Sequence, residues 1–312
     1  MNNRYKISVN PVAGRGAGAK SIPQLRQYLA SYQIDFDLVA THQPGEAFYL
    51  SHQATLDGFD VVVAVGGDGT ANEVLNGLMM ARKEGRLASA MGIIAVGRGN
   101  DMAYGMHIPP GLEAGLNTVL FGQRKLMDVG LVLGGDYPDG KYFGNGIGIG
   151  FDAVVGFEAA KLTWLSGFPS YIVAVFKTIF LYFQAPTIKI ETDSQTMELP
   201  ALMISIMNGC RMGGGFMMAP TAHTDDGLLD LCIAEEVSRG RIFSLIPHFL
   251  RGSQATQKEI HTTHAIQIVV TAVKGSLPVH ADGETICIAG DKLEIELLPK
   301  QVEFICILEE AP

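Results

Sequence analysis

Residues 61–73 read VVVAVGGDGTANE. An unbroken apolar run enters three glycines set around Asp68 and passes into a helical pattern at Asn72. A strand that is apolar at every position is buried on both faces, the habit of a parallel sheet covered by helices. Gly66, Gly67 and Gly69 let backbone N–H groups approach an anion closely, and the helix that follows presents its positive N-terminus. A phosphate is the natural guest. Two anions repel, so Asp68 is no direct phosphate ligand; it suits a Mg²⁺ ion, a metal-bound water or an orienting role. A plain tight turn accounts for the glycines but makes little of their combination with Asp68 and Thr70.

Outward from this stretch, residues 1–130 alternate strand and helix patterns. Strands are expected at 5–9, 36–40, 61–65 and 91–96, and helices at 21–31, 46–56, 72–85 and 112–121. Ser21 and Gln24 form a capping box, with Pro23 in the first turn of its helix. After Asp128 the texture changes to strand-like runs at 141–145, 187–192, 202–207, 228–234, 266–272, 285–289, 292–298 and 302–308, separated by Gly, Pro and Asp. A helical stretch at 152–183 interrupts them and 241–251 adds a short helix. The expected fold is an N-terminal α/β domain, its parallel sheet covered by helices, plus a mainly antiparallel β-sandwich-like C-terminal domain. The first domain covers 1–129, with a segment at about 296–312 packing back onto it. The second covers 130–295, with 152–183 as a helical insertion. The two are expected to meet across a cleft, a common place for a ligand.

The chain of 312 residues is 47% hydrophobic and 18% charged, a globular balance, and its net charge of −9 disfavours a phosphate backbone as partner. No nucleic acid is expected. Cys210, Cys232, Cys287 and Cys306 have no close metal spacing, and the last three lie in apolar runs where thiols act as small hydrophobes. MNNRYKISVN at the start lacks an apolar segment before a small-residue cleavage site, so a cytoplasmic protein is expected. The most apolar run, 171–183, contains Lys177 and falls short of the roughly 20 residues of a membrane span. Trp164, Leu165, Phe168, Tyr171, Ile172, Val175, Phe176, Ile179, Phe180 and Phe183 recur at helical spacing. That greasy face is either a core helix under a sheet or a wall for an acyl chain and an interfacial contact.

Two other glycine motifs are weaker. Residues 14–21 nearly spell a phosphate-binding GxxxxGKS loop, but Ala19 stands where the second glycine belongs. Residues 14–19 also satisfy the looser form of the dinucleotide fingerprint, with Asp35 and Asp37 downstream, which alone would suggest a dehydrogenase.

Six motifs occur in order: Asn10-Pro11 with Gly14; Gly66-Gly67-Asp68-Gly69-Thr70; Gly97-Arg98-Gly99-Asn100-Asp101; Asn145-Gly146 through Asp152; Gly214-Gly215 through Asp226-Gly227-Leu228-Leu229-Asp230; and Asp282-Gly283-Glu284. Together they resemble the diacylglycerol kinase catalytic family, which includes bacterial lipid kinases and the sphingosine kinases. The resemblance implies an ATP-dependent lipid kinase that moves the γ-phosphoryl group to a lipid hydroxyl. It implies nucleotide over Asn10, Thr41, Gly66, Gly67, Asp68, Gly69, Thr70, Ala71, Asn72, Glu73, Gly97, Arg98, Asn100 and Asp101. Asp68, Asp101 and Asp128 would arrange Mg²⁺ through water, with Asp282 as general base and Glu284 beside it. Asp226, with carbonyls near His223 and Leu228, resembles a structural metal site.

Such chemistry asks a protein for positioning, charge neutralisation and one proton acceptor. The implied partner is a lipid at a membrane surface, with the protein cytoplasmic and peripheral at the inner face; a homodimer stays open. The chain departs from the family in having Ala95-Val96-Gly97-Arg98 where Pro-x-Gly-Thr is usual, so Arg98 replaces a small hydroxyl with a fixed charge. Asp282-Gly283 is also a strong hairpin signal, Asp226-Gly227 a loop closure, and Asp128 and Asp152 read also as caps or surface charges, the structural reading standing level with the functional one for Asp152. The alternatives are an NAD kinase, which shares the Gly-Gly-Asp-Gly-Thr loop, and a non-catalytic nucleotide- or lipid-binding protein.

Overall fold

The computed structural model of the chain describes residues 3–162, 165, 168–181 and 185–307. It has two compact units, Met1–Asp128 with Lys300–Pro312, and Val129–Pro299.

The first unit contains β1 (Arg4–Val9), α1 (Ala13–Ser31), β2 (Asp35–Ala40), α2 (Glu46–Leu56), β3 (Val61–Gly66), α3 (Asp68–Lys83), β4 (Ala90–Ala95), α4 (Asp101–Gly105), α5 (Leu112–Phe121) and the start of β5 (Gln123–Gly134). The strands pair in parallel in the order β2-β1-β3-β4. All six residues of β3 are buried. Val61, Val63 and Val65 pack with Leu25 and Leu29 of α1 and Leu116 and Val119 of α5, which leaves Val62 and Ala64 to the opposite face by strand alternation. Gly77 lets α3 press against α2, since a Cβ there would stand 2.0 Å from Ser51 Oγ.

Helix α1 starts earlier than the sequence suggests. Ser21 lies inside it, its hydroxyl donating back to the Gly18 carbonyl at 2.7 Å, so the expected capping box does not form. Gly14, Arg15 and Gly16 take left-handed φ values of 55°, 58° and 89° before the helix proper begins. Gly18 fits because it has no Cβ to meet the Asn10 carbonyl oxygen, which would lie 1.9 Å away.

The second unit continues with β6 (Tyr137–Phe143), β7 (Gly146–Gly150), α6 (Phe151–Lys161), α7 (Phe168–Leu181), β8 (Thr187–Thr192), β9 (Thr196–Met207), β10 (Leu229–Glu235), α8 (Arg239–Arg251), β11 (Ile260–Ala265), β12 (Gln267–Lys274), β13 (Leu277–Ala281), β14 (Glu284–Gly290) and β15 (Lys292–Cys306). One antiparallel sheet runs β14-β13-β7-β9-β10-β11 and the other β9-β8-β12-β15-β5-β6. Long β9 serves both, pairing with β8 through residues 196–200 and with β7 and β10 beyond. Ile147, Ile204, Ile206 and Leu231 of one sheet meet Ile190, Ile268 and Leu293 of the other in a shared core. On the outer face of the first sheet, Met203, Met207, Cys232 and Ala234 are covered by α6, α7 and α8. The cysteines are unbonded thiols, and Cys232, Cys287 and Cys306 are buried.

Residues 292–298 and 302–308, expected as two strands, are one strand ending at Cys306. Pro299 and Lys300, the latter at a φ of 53°, bend it without ending it. Its last residues belong to the first unit, where Phe304 pairs in parallel with Met91 of β4. The helical stretch is two helices, and Trp164 and Phe183 lie outside the described residues.

A polar row crosses the helix-covered face: His280, Gly148, Ser205, Cys232 and Thr262 stand in register on β13, β7, β9, β10 and β11. Above it Asp152, in the first turn of α6, accepts the Ser205 hydroxyl and the Ala153 N–H, both at 2.8 Å. A Cβ on Gly148 would stand 2.4 Å from His280 Nε2 and 2.7 Å from Asp152 Oδ2, so glycine is required where these groups converge. Burial pushes the Asp152 carboxyl up to about 8, against the pull of the Ser205 hydroxyl and the backbone N–H groups of Ala153 and Asp152. It also holds His280 down to about 4. The Cys232 thiol is pushed up to about 12, by burial first and then by the Asp152 charge. The row is therefore neutral at pH 7.

This has a consequence for stability. Between pH 4 and about 8 native Asp152 keeps a proton that the unfolded chain has lost, so wild-type stability falls as pH rises through that window. Asp152→Asn has no such proton to lose, and its stability relative to wild type should increase steadily from pH 5 to pH 8.5. Denaturant unfolding at three pH values checks this; a pH-independent difference would show that the carboxyl is not held neutral.

Candidate nucleotide and catalytic site

In the first unit the loops after β1, β2, β3 and β4 all leave the carboxyl ends of parallel strands, the edge where open α/β sheets bind ligands. Asn10 joins two of these loops. Its N–H donates to the Val65 carbonyl at 2.9 Å, its Nδ2 to Thr70 Oγ1 at 3.1 Å, and its Oδ1 accepts the Val12 N–H at 3.2 Å. Thr41 is buried at the end of β2, its N–H on the Val9 carbonyl at 2.8 Å.

The loops after β3 and β4 meet backbone to backbone. A Cβ on Gly97 would lie 2.2 Å from Gly67 Cα, and one on Gly66 would lie 2.3 Å from Thr70 Oγ1. Asn100, at a φ of 54°, closes its loop by accepting the Gly97 N–H at 3.0 Å and donating to the Gly97 carbonyl at 3.2 Å. Asn tolerates that left-handed geometry better than most residues. Asp68 opens α3, and its Oδ1 accepts the Met102 N–H at 3.0 Å. Burial pushes its carboxyl up, while N–H groups of Met102, Asp101 and Asn100 pull the other way. Asp101 is buried at the start of α4, and a Cβ on Gly99 would stand 2.8 Å from Asp68 Oδ2 and 3.1 Å from Asp101 Oδ2. Arg98 is exposed on the same loop.

Thus Asn10, Gly66, Gly67, Asp68, Gly69, Thr70, Gly97, Arg98, Asn100 and Asp101 come from three linked loops. The other expected residues of this group have structural partners. Ala71 donates its N–H to the Gly67 carbonyl at 3.0 Å. Fully buried Asn72 accepts Asn76 Nδ2 at 3.1 Å. Glu73 takes the Gly45 and Ala47 N–H groups at 2.8 and 3.0 Å, so its carboxylate caps α2.

Among the described residues no three His, Cys, Asp or Glu side chains gather to hold a metal. Asp128, expected to arrange Mg²⁺ through water with Asp68 and Asp101, is fully buried and accepts the Lys300 N–H at 2.7 Å. Two carboxylates still fit Mg²⁺, which keeps several waters and shares its remaining positions with phosphate oxygens. The raised Asp68 carboxyl is what a nearby cation would reverse.

In the second unit Asp282 and Gly283, at φ values of 47° and 85°, form the two-residue turn between β13 and β14, with Ala281 opposite Glu284. Two positive φ values mark the turn whose twist matches the strands. The Asp282 carboxylate is buried, Oδ2 accepting the Gly144 N–H at 2.7 Å and Oδ1 those of Asn145 and Gly146 at 3.1 and 2.9 Å. Glu284 opens β14, and its charge helps burial push the Tyr137 phenol up. Exposed Asp226 closes a turn by accepting the Leu228 N–H at 3.0 Å. The charge of Asp226 adds to the burial that raises buried Asp230, while His264, 3.1 Å from Asp230, and His223 act against it.

The sequence did not single out a cavity of about 80 Å³ in this unit. Val155, Val175, Met203, Phe216 and Leu245 line it, and Asp152 is the one ionisable group in its wall. Its lining comes from three helices, two strands and one loop, a convergence with no sequence spacing of its own.

Residues 4–132 match the diacylglycerol kinase catalytic domain, and residues 145–306 match the YegS C-terminal NAD kinase beta sandwich-like domain. A diacylglycerol kinase of Staphylococcus saprophyticus is 27% identical over 285 residues, 91% of this chain and 90% of the relative. One of Bacillus subtilis is 29% identical over 286 residues, 90% of this chain and 89% of the relative. The crystal structure of a Bacillus anthracis diacylglycerol kinase shares the fold, with a TM-score of 0.74 at 21% identity, covering 98% of this chain and 97% of that one. Yeast NADH kinase in complex with NADH is more distant, with a TM-score of 0.50 at 11% identity over 99% of this chain and 84% of that one. The second domain alone takes in more than half of the chain and the first most of the rest, and on that ground the protein belongs to the diacylglycerol kinase family, phosphotransferases with an alcohol group as acceptor.

Proposed function

We propose that the protein transfers the γ-phosphoryl group of ATP to the hydroxyl of a diacylglycerol-like lipid, working at the inner face of a membrane as a peripheral protein. The backbone contact between Gly67 and Gly97 carries the nucleotide half of this reading, because it aligns N–H groups and the N-terminus of α3 at one edge of the sheet. The apolar cavity supports the lipid half: it suits hydrocarbon and does not suit the charged dinucleotide an NAD kinase accepts. Among the described residues no helix is long and apolar enough to cross a membrane, so the lipid is reached from the surface.

In this reading the N–H groups of Gly67 and Gly69 hold phosphate oxygens and Asn10 keeps the Thr70 hydroxyl in place. Arg98, exposed beside them, adds a fixed positive charge where the family has a hydroxyl. Asp68 and Asp101 would hold Mg²⁺, which neutralises phosphate charge when bound. Asp282 is the proton acceptor, its carboxylate held in place by the N–H groups of Gly144, Asn145 and Gly146. Labelled ATP, Mg²⁺ and a total lipid extract, with NAD offered in parallel, test the assignment; mass spectrometry of the labelled product names the acceptor, and label in NADP alone would overturn it.

Gly67→Val should abolish ATP binding in calorimetric titration while the fold persists, because the new side chain must displace Gly97, whose Cα lies 3.1 Å from the Cβ position. Unchanged ATP affinity in the folded variant would remove this loop from the site.

Asp282→Asn should lower turnover by ~10²–10⁴-fold with ATP affinity retained. It should also cost about 1–3 kcal/mol of stability, since an amide cannot accept all three N–H groups. Turnover that falls only in step with the folded fraction would make this carboxylate a turn anchor and no base.

A further inference from the structure

Apolar side chains of α6, α7 and α8 over β9 and β10 wall the cavity of the second unit, and its polar corner is Asp152. The carboxyl is 9% exposed and accepts the Ser205 hydroxyl at 2.8 Å, the Ala153 N–H at 2.8 Å and the N–H of its own residue. Among the described residues no Lys or Arg faces it, and His280 beside it is held neutral by its own burial, so the carboxyl keeps its proton. Asp152 and Ser205 then hold two hydroxyl hydrogens and share one hydrogen bond. Whichever of them donates, one O–H is left over, and among the described residues neither side chain has an acceptor for it. A buried donor without an acceptor is costly, and a ligand in the cavity can supply what is missing.

Asp152 also stands on the way from the cavity to the proposed base. A Cβ on Gly148 would lie 2.7 Å from Asp152 Oδ2 and 2.4 Å from His280 Nε2, so the two side chains border one space that a glycine keeps open. His280, whose Nδ1 is buried without a hydrogen-bond partner, comes two residues before Asp282, about 6.6 Å along an extended chain. A lipid with its hydroxyl at Asp282 and its hydrocarbon among Val155, Val175, Met203, Phe216 and Leu245 would cross this space with the group that links the two. The corner selects that group. An ammonium would draw the proton off Asp152 and bury an ion pair, whereas an ether or a methylene leaves the O–H with a poor acceptor or none; a carbonyl is neutral and accepts.

We propose that Asp152, backed by Ser205, is the specificity-determining residue that reads the acyl ester of the lipid, donating a hydrogen bond to the ester carbonyl next to the phosphorylated hydroxyl while the acyl chain lies in the cavity. The proposal rests on the lipid-kinase reading and narrows its substrate class to lipids with an ester-linked chain.

Phosphorylation of dioctanoylglycerol and of dioctylglycerol, the ether analogue that keeps the hydroxyl and the tails but lacks the carbonyls, tests it with the full chain in detergent at pH 7. The wild type should use the ester at least about fivefold better in kcat/KM, the share of one buried hydrogen bond whose loss leaves a donor unpaired. Asp152→Leu should bring the two lipids to within about twofold of each other. Asp152→Asn, whose amide still donates, should keep the preference. Each ratio compares two lipids on one preparation, so a loss of folded protein does not alter it, and the wild-type ratio can fail whether or not Asp152→Leu folds.

Equal use of both lipids by the wild type overturns the proposal and leaves the kinase reading intact. A preference that survives Asp152→Leu overturns it too, because the ester would then be read elsewhere, as does a preference that Asp152→Asn abolishes. Phosphorylation of neither lipid strikes the kinase reading, and the proposal falls with it.

Discussion

The approach of Gly67 to Gly97 is the constraint from which the geometry at the carboxyl edge of the parallel sheet follows. Gly97 has no room for a Cβ and Gly67 has little, so the loops after β3 and β4 close to backbone contact and bring Asp68 onto the N–H of Met102 in the short helix beyond. That one carboxylate therefore spans both loops. Asn10 ties the loop after β1 to the same place through Thr70. Three loops with little secondary structure of their own are thus fixed by two glycines, one amide and one carboxylate, an economical way to hold the rigid set of donors that phosphoryl transfer needs.

Buried carboxylates elsewhere in the chain divide by what receives them. Asp128 and Asp282 are each met by backbone N–H groups, one from Lys300 and three from residues 144–146, and in both cases the carboxylate stitches together segments far apart in sequence. Asp152 is buried among apolar side chains, and a hydroxyl and one N–H do not offset its desolvation, so burial wins and the group stays neutral. A neutral acid in the wall of an apolar cavity still offers a hydrogen bond without the cost of burying a charge.

Much of this was legible in the sequence for definite reasons. The unbroken apolar run of β3 can only be a strand buried on both faces, and it is. The Asp282-Gly283 pair read as both a hairpin turn and a reactive carboxylate, and the geometry makes the two compatible: the turn places the side chain, and the Gly144–Gly146 backbone receives it. What escaped was whatever lacks a side-chain pattern. Strand β7 is Gly-Ile-Gly-Ile-Gly, and its middle glycine, Gly148, faces a histidine and a carboxylate that need the room. Strand β13 carries Pro278 and His280, which argue against a strand until its partners are known. Strand β15 looked like two because Pro299 and Lys300 imitate a turn; the Asp128 carboxylate takes the Lys300 N–H and lets the strand bend and continue.

The greasy helical stretch posed a choice between core and interface, and its described part, α7, has one buried face and one exposed face. With Ala174, Val175 and Ile179 turned in and Val173, Phe176 and Phe180 turned out, the period of the apolar residues is too full for either role alone. A helix that is apolar nearly all round must be covered on every side. On one side the sheet supplies the cover. On the other, Phe176 and Phe180 are left exposed beside Lys177, so the same residues that make the segment look like a core helix give it an apolar outer face as well.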